Sequence, residues 1–159
     1  MKIKEFQRIK ERPLITVRPN TTIHDAILKL VEHRIGALPV CDGKGGLLGI
    51  VTERDILEEC GQRSTEIDTT RVQDIMTREL VIGIPEDDIS YVMEVMTRKR
   101  VRHLPVMEGR KVGGIISARD IVEHQLEESR AKVRYLSDYL EVFTAILQNT
   151  TVEPDTQHH

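Results

Sequence analysis

One pattern is written twice in this chain, and the spacing of its two copies constrains the fold more than any single motif. Pro19, Ile23 and Leu38-Pro39-Val40 recur as Pro85, Ile89 and Leu104-Pro105-Val106, each 66 positions later. By Gly49 and Asp55, which recur as Gly114 and Asp120, the offset has dropped to 65. The lost residue falls near Glu108-Gly109-Arg110. A hairpin tip tolerates such a deletion, whereas a packed element does not. Two copies predict a pseudo-twofold pair, because a solenoid needs three or more.

Within the first copy, Leu14-Ile15-Thr16-Val17 reads as a short strand stopped by Pro19. Thr22-Ile23-His24-Asp25 starts a helix with a capping pattern. Ile23, Ala26, Ile27, Leu30 and Val31 carry that helix at helical spacing to about His33. Ala37 to Cys41 reads as a strand whose Pro39 marks an edge or a strand entry. Asp42-Gly43-Lys44-Gly45-Gly46 is a turn, Leu47 to Val51 the partner strand, and Glu53 to about Glu59 a helix ending at Gly61. Residues 61–70 are polar and aperiodic, so the linker between copies is placed there. A short helix carrying Ile3, Phe6 and Ile9 is expected ahead of the first copy.

The expected fold is therefore α/β: two tandem strand–helix–strand–strand–helix repeats packed sheet against sheet with pseudo-twofold symmetry, plus a C-terminal helix. The expected divisions are 1–62 for repeat one with its N-terminal lead-in, 63–125 for repeat two with its own, 126–150 for an amphipathic helix and 151–159 for a disordered tail. In the helix, Leu126, Val133, Leu140 and Leu147 fall seven apart, with Ser129, Leu136 and Phe143 between them. That is a heptad seam, widened by Tyr139 and Ile146, which predicts either a dimer contact or packing back on the same chain.

Composition narrows function by exclusion. A net charge of −3 and a pI near 6.1 argue against a basic nucleic-acid-binding stripe. No apolar run approaches the ~20 residues of a membrane span, and the first residues hold no signal-peptide core. Cys41 and Cys60 have no metal-ligand or redox spacing and read as reduced thiols, so a cytoplasmic protein is expected. The histidines His24, His33, His103 and His124 are scattered without metal-pair spacing, and no catalytic loop or elbow motif occurs. Neither metal nor catalytic residue is expected.

The positive signal is the repeated junction Thr52-Glu53-Arg54-Asp55 and Ser117-Ala118-Arg119-Asp120, each following an apolar run and opening a helix. A helix N-terminus favours an anion, the hydroxyl adds a donor to phosphate, and the carboxylate accepts both hydroxyls of a ribose. Arg54 and Arg119 add charge, and Ile50 and Ile115 supply a wall for a base. The same residues equally satisfy a helix cap with no ligand at all.

Ile35-Gly36-Ala37-Leu38-Pro39-Val40 with Gly49-Ile50-Val51-Thr52-Glu53-Arg54-Asp55 resembles the cystathionine β-synthase (CBS) domain. So does Val101-Arg102-His103-Leu104-Pro105-Val106 with Gly114-Ile115-Ile116-Ser117-Ala118-Arg119-Asp120, and Val72-Gln73-Asp74-Ile75-Met76-Thr77 resembles the lead-in of such a repeat. The resemblance spans roughly 7–125 and implies a CBS pair, or Bateman module, whose two clefts bind adenosyl ligands. It places Ile50, Thr52, Arg54 and Asp55 opposite Val101, Arg102 and His103 in one cleft. In the other it places Ile115, Ser117, Arg119 and Asp120 opposite Ile35, Gly36 and Ala37. Arg12 and Arg78 are further candidates for phosphate contacts.

The expected activity is that of a regulatory module, not an enzyme. It would bind AMP, ADP or ATP as a regulatory ligand, form a homodimer and signal to an effector protein. The alternatives are a scaffold with unoccupied clefts, or a sensor of NAD(H) or S-adenosylmethionine.

Overall fold

The computed structural model describes residues 1–150. Its elements are α1 (Ile3–Lys10), α2 (Ile23–His33), β1 (Ala37–Cys41), β2 (Leu47–Thr52), α3 (Glu53–Gln62), α4 (Val72–Ile75), α5 (Ile89–Lys99), β3 (His103–Glu108), β4 (Lys111–Ser117) and α6 (Ala118–Asn149). The chain divides into two units: Met1–Arg119 holds both hairpins and α1 to α5, and the second begins at Asp120, inside α6.

Each repeat is built on one antiparallel hairpin. Pro39 stands opposite Ile50 in the first and Pro105 opposite Ile115 in the second. The turns use glycine where the backbone is left-handed, Gly45 at φ 83° and Gly109 at φ 63°. Both α2 and α5 end on an arginine in the left-handed region, Arg34 and Arg100.

The expected strand at Leu14–Val17 reduces to a single bridge. Val17 donates to the Pro39 carbonyl at 3.0 Å and accepts from Cys41 at 2.9 Å. On the far side of the hairpin, Ile50 exchanges two backbone bonds with Thr77, at 3.0 and 2.9 Å. Pro39 thus lies in the middle of one strand of a two-stranded sheet, with only the Val17 bridge on its outer side. Its missing N–H costs nothing, because the Val17 bridge uses only its carbonyl and Ile50 turns its polar groups towards Thr77. Pro105 repeats the arrangement, accepting from Gly83 at 2.8 Å. The helix expected to stop at Gly61 runs one residue further, and Arg63 in extended conformation ends it.

The lead-in helices cross over. The start of α4 bonds to the first repeat, Val72 to Thr21 at 2.8 Å and Gln73 to Pro19 at 3.1 Å. The start of α1 bonds to the second, Ile3 to Asp87 at 2.9 Å and Lys4 to Pro85 at 3.0 Å. Val72 and Met76 accordingly join Leu30, Leu38, Val40 and Val51 in the core of the first repeat. Burying two such side chains is worth about 1.5–3 kcal/mol each, so each repeat draws part of its core from a segment that precedes the other. The linker is also tied down, since His24 donates to the Ile67 carbonyl at 3.0 Å and its ring lies 2.9 Å from Asp68.

The hairpins approach each other at both ends. Val112 donates to the Gly45 carbonyl at 3.2 Å. At the other end, a Cβ on Gly36 would lie 3.1 Å from the His103 ring. No described helix is long and apolar enough to cross a membrane.

Candidate functional site

The first junction forms where β2 hands over to α3. Thr52 is the N-cap: its hydroxyl accepts from the Asp55 N–H at 3.1 Å, and its own N–H donates to Asp55 Oδ2 at 2.9 Å. The second carboxylate oxygen, Oδ1, accepts from the Thr77 hydroxyl at 3.2 Å. Asp55 is half-buried, and both its oxygens are engaged.

Two of the three N–H groups left open at the start of α3 are also engaged. Glu53 donates to the Gly36 carbonyl at 3.0 Å, and Asp55 to Thr52. The helix N-terminus alone therefore offers an anion less than the motif suggested. The cation supply comes from elsewhere. Arg54 lines a concavity of about 290 Å3 together with Met96, Thr97, Arg100, Val101 and Arg102 from the end of α5, and Ala118. Arg54 Nε also donates to Glu58 Oε1 at 2.9 Å, both side chains being largely exposed. Among the described residues neither Arg100 nor Arg102 is paired with a carboxylate.

The left-handed cap at Arg100 makes this geometry. Its N–H satisfies the Met96 and Thr97 carbonyls, ends α5, and turns Val101 and Arg102 across towards Arg54. The next link is the Ala118 N–H, which donates to the Arg102 carbonyl at 2.8 Å. It is the counterpart of the Glu53–Gly36 bond, so the two junctions obey the same twofold relation.

The structure thus brings Arg54 together with Val101 and Arg102. Ile50 is buried and anchored to Thr77, while Thr52 and Asp55 close on each other and on Thr77. His103 lies against Gly36, a residue assigned to the other cleft, with Glu53 beside it. Ile35 and Gly36 are half-buried and Ala37 is buried. Of the second junction, Ile115 and Ser117 are half-buried at the end of β4, Arg119 is exposed, and Asp120 is buried at 7% exposure in the first turn of α6. Arg78 turns back to donate to the Gln73 carbonyl at 3.2 Å, and Arg12 is exposed.

Arg100 and Thr77 went unassigned from sequence, as did Met96, Thr97 and Ala118 in the lining of the concavity. Arg100 had no signal beyond its place after a helix. Thr77 closes the Asp-Ile-Met-Thr phrase, and that phrase was available as a pointer. Among the described residues no group of three or more His, Cys, Asp or Glu could hold a metal ion. Burial pushes the Cys41 thiol pKa up, with the Asp42 charge adding to it.

The CBS domain family model matches residues 4–61 and 72–127. The chain belongs to the CBS domain family. The match ends near the start of α6, leaving most of that helix outside it. The CBS domain-containing protein CBSX3, mitochondrial, of Arabidopsis thaliana is 34% identical over 124 residues, which are 76% of this chain and 60% of the plant protein. The CBS domain-containing protein YhcV of Bacillus subtilis is 31% identical over 116 residues, 73% of this chain and 81% of that one. Among solved structures, the CBS-domain protein ATU1752 from Agrobacterium tumefaciens superposes with a TM-score of 0.74 at 34% identity, covering 79% of this chain and 99% of its own. The CBS domain pair of protein MJ0100, solved with 5-methylthioadenosine and S-adenosyl-L-methionine, gives 0.72 at 27% identity, covering 80% and 98%.

Proposed function

We propose that this chain is a regulatory module, not an enzyme, that binds an adenine nucleotide in the cleft between the β2–α3 junction and the end of α5. Occupancy by AMP, ADP or ATP is relayed to an effector protein, in a cytosolic setting, by a change of shape. The observation that carries this reading is the convergence of Arg54, Arg100 and Arg102 on one concavity beside a hydroxyl–carboxylate junction. Guanidinium groups match phosphate oxygens with paired, charge-assisted hydrogen bonds. A concavity of about 290 Å3 falls just short of whole-ligand pockets, which run from roughly 300 Å3 upward, and suits the phosphoryl end of a nucleotide. Thr52 adds its hydroxyl, and Asp55 accepts the ribose diol by exchanging its bond from Thr77. The ligand shifts the shape equilibrium only through its differential affinity, and the Thr77–Asp55 bond, which a ribose bound at Asp55 would replace, would supply such a difference.

A second reading has a specific observation behind it. The CBS pair of MJ0100 was solved with two adenosine derivatives that carry no phosphate. A ligand of that kind would use Asp55 and make no call on three arginines.

Calorimetry with ATP, AMP and S-adenosylmethionine on the wild type and Arg102→Ala separates the readings. A lost charge-assisted bond is worth about 1.5–3 kcal/mol, so Arg102→Ala should weaken ATP roughly 10- to 100-fold and leave S-adenosylmethionine unchanged. Unchanged ATP affinity in Arg102→Ala, or binding of S-adenosylmethionine alone, overturns the phosphate reading. No heat with any of the three favours a scaffold with unoccupied clefts.

A further inference from the structure

Resting on the nucleotide reading of the first cleft, we propose that Glu53 and His103 close the twofold-related second cleft to nucleotide phosphate. Each chain then takes a single nucleotide, at Arg54, Arg100 and Arg102.

Two identical copies would give two identical sites. The repeat offsets of 66 and 65 make Arg34 the counterpart of Arg100, Gly36 of Arg102 and Ala37 of His103. Past the hairpins they make Glu53 the counterpart of Ala118, and Arg119 of Arg54. The main chain obeys these pairings. Arg34 and Arg100 both take the left-handed conformation, at φ 52° and 55°. The Glu53 N–H donates to the Gly36 carbonyl at 3.0 Å, as the Ala118 N–H does to the Arg102 carbonyl at 2.8 Å. The backbone of the second cleft, between residues 117–119 and the end of α2, is therefore laid out like that of the first.

The side chains are not. In the first cleft three guanidiniums line the concavity, and Ala118 adds only a methyl to its wall. In the second, Gly36 brings no cation where Arg102 stands, and Glu53 brings a carboxylate where Ala118 stands. His103 takes up the remaining space. Its Cε1 and Nε2 each lie 3.1 Å from the point a Cβ on Gly36 would occupy, and Glu53 Oε1 lies 3.7 Å from that point. The counterpart of that ring in the first cleft is the methyl of Ala37, which is buried. A phosphate chain entering the second cleft would have to move a ring packed on backbone and then face a carboxylate. A like charge and a steric block reject a ligand as effectively as good contacts select one.

Isothermal titration of the full chain with ATP tests this. The wild type should bind one ATP. Arg100→Ala should weaken it roughly 10- to 100-fold, the loss of one charge-assisted bond, while Arg34→Ala, at the counterpart position, should leave it unchanged. The triple variant Gly36→Arg/Glu53→Ala/His103→Ala gives the second cleft the residues of the first and should bind two, with circular dichroism confirming its fold. If the triple variant does not fold, the wild-type stoichiometry and the two arginine variants still decide. Two ATP per wild-type chain, weaker ATP in Arg34→Ala, or one ATP in a folded triple variant overturns the closure and leaves the first cleft's reading standing. A wild type that binds no ATP overturns that reading, and the closure with it.

Discussion

Asp55 holds two jobs in this structure, and substitution can separate them. Its Oδ2 completes the capping box with Thr52, and its Oδ1 takes the Thr77 hydroxyl. Losing a capping interaction costs about 1 kcal/mol. The Thr77 bond goes to a carboxylate, but it lies in an exposed setting and adds ~0.5–1 kcal/mol, the lower part of the range for such bonds. Asp55→Ala should therefore destabilise the protein by ~1.5–2 kcal/mol. For a chain of this size that lowers the melting temperature by roughly 3–8 °C.

Thr77→Val removes only the second contribution and should lower the melting temperature by roughly 1–4 °C. The two variants should have opposite effects on nucleotide. Asp55→Ala removes the ribose acceptor and abolishes binding, whereas Thr77→Val removes a competitor for Oδ1. Freeing ~0.5–1 kcal/mol corresponds to an affinity gain of roughly two- to fivefold. Differential scanning calorimetry and isothermal titration on the same preparations give both numbers. Weaker nucleotide binding in Thr77→Val would refute the competition argument, and an unchanged melting temperature in Asp55→Ala would refute the capping estimate.

Two further outcomes follow from the packing and the turn chemistry. A Cβ on Gly49 would lie 2.7 Å from Met76 Sδ and 2.9 Å from the Thr77 carbonyl oxygen, so Gly49→Ala must push the lead-in segment off the hairpin. Its cost is expected at ~1–3 kcal/mol in denaturant unfolding, with no effect expected from Gly61→Ala on packing, since a Cβ there meets nothing within 4 Å. Asp42 in the first hairpin turn accepts from the Gly46 and Lys44 N–H groups at 2.8 and 2.9 Å, and these bonds hold its carboxyl below the usual carboxylate value. A depressed folded-state pKa stabilises the turn above the ordinary aspartate value, and that contribution is lost as pH falls through the folded value. Amide-exchange protection at Gly46 should fall over that acid window in the wild type and vary less in Asp42→Asn; equal behaviour in the two would exclude the mechanism.

The hairpins, α2, α5 and the cap at Thr52 were legible from sequence because each is specified within a few residues. Apolar spacing, a turn glycine or a hydroxyl three residues before a carboxylate is enough to place them. The short strand at Leu14–Val17 was misjudged because a β-propensity run does not say whether a partner is long enough to pair with all of it. The reading of Pro39 as marking an edge or a strand entry could not include the bridge from Val17 for a related reason. Which side of a strand needs an N–H depends on neighbours that arrive from Val17 and Thr77, far away in the chain.

What the sequence determined by itself is the duplication, its hairpin slip and the repeated junction, and hence a pseudo-twofold pair of repeats. These are matters of spacing along one chain. The tertiary structure decided the rest: that the lead-in helices cross to the opposite repeat, that Asp55 is held by Thr77, and that Arg100 lines the same concavity as Arg54 and Arg102, the two arginines already named from the sequence. Each of those depends on segments separated by tens of residues finding the same place, and local pattern carries no term for that. The physical reason is burial. Val72 and Met76 lose contact with water only in the core of the first repeat, and their docking there carries Thr77 to the carboxylate.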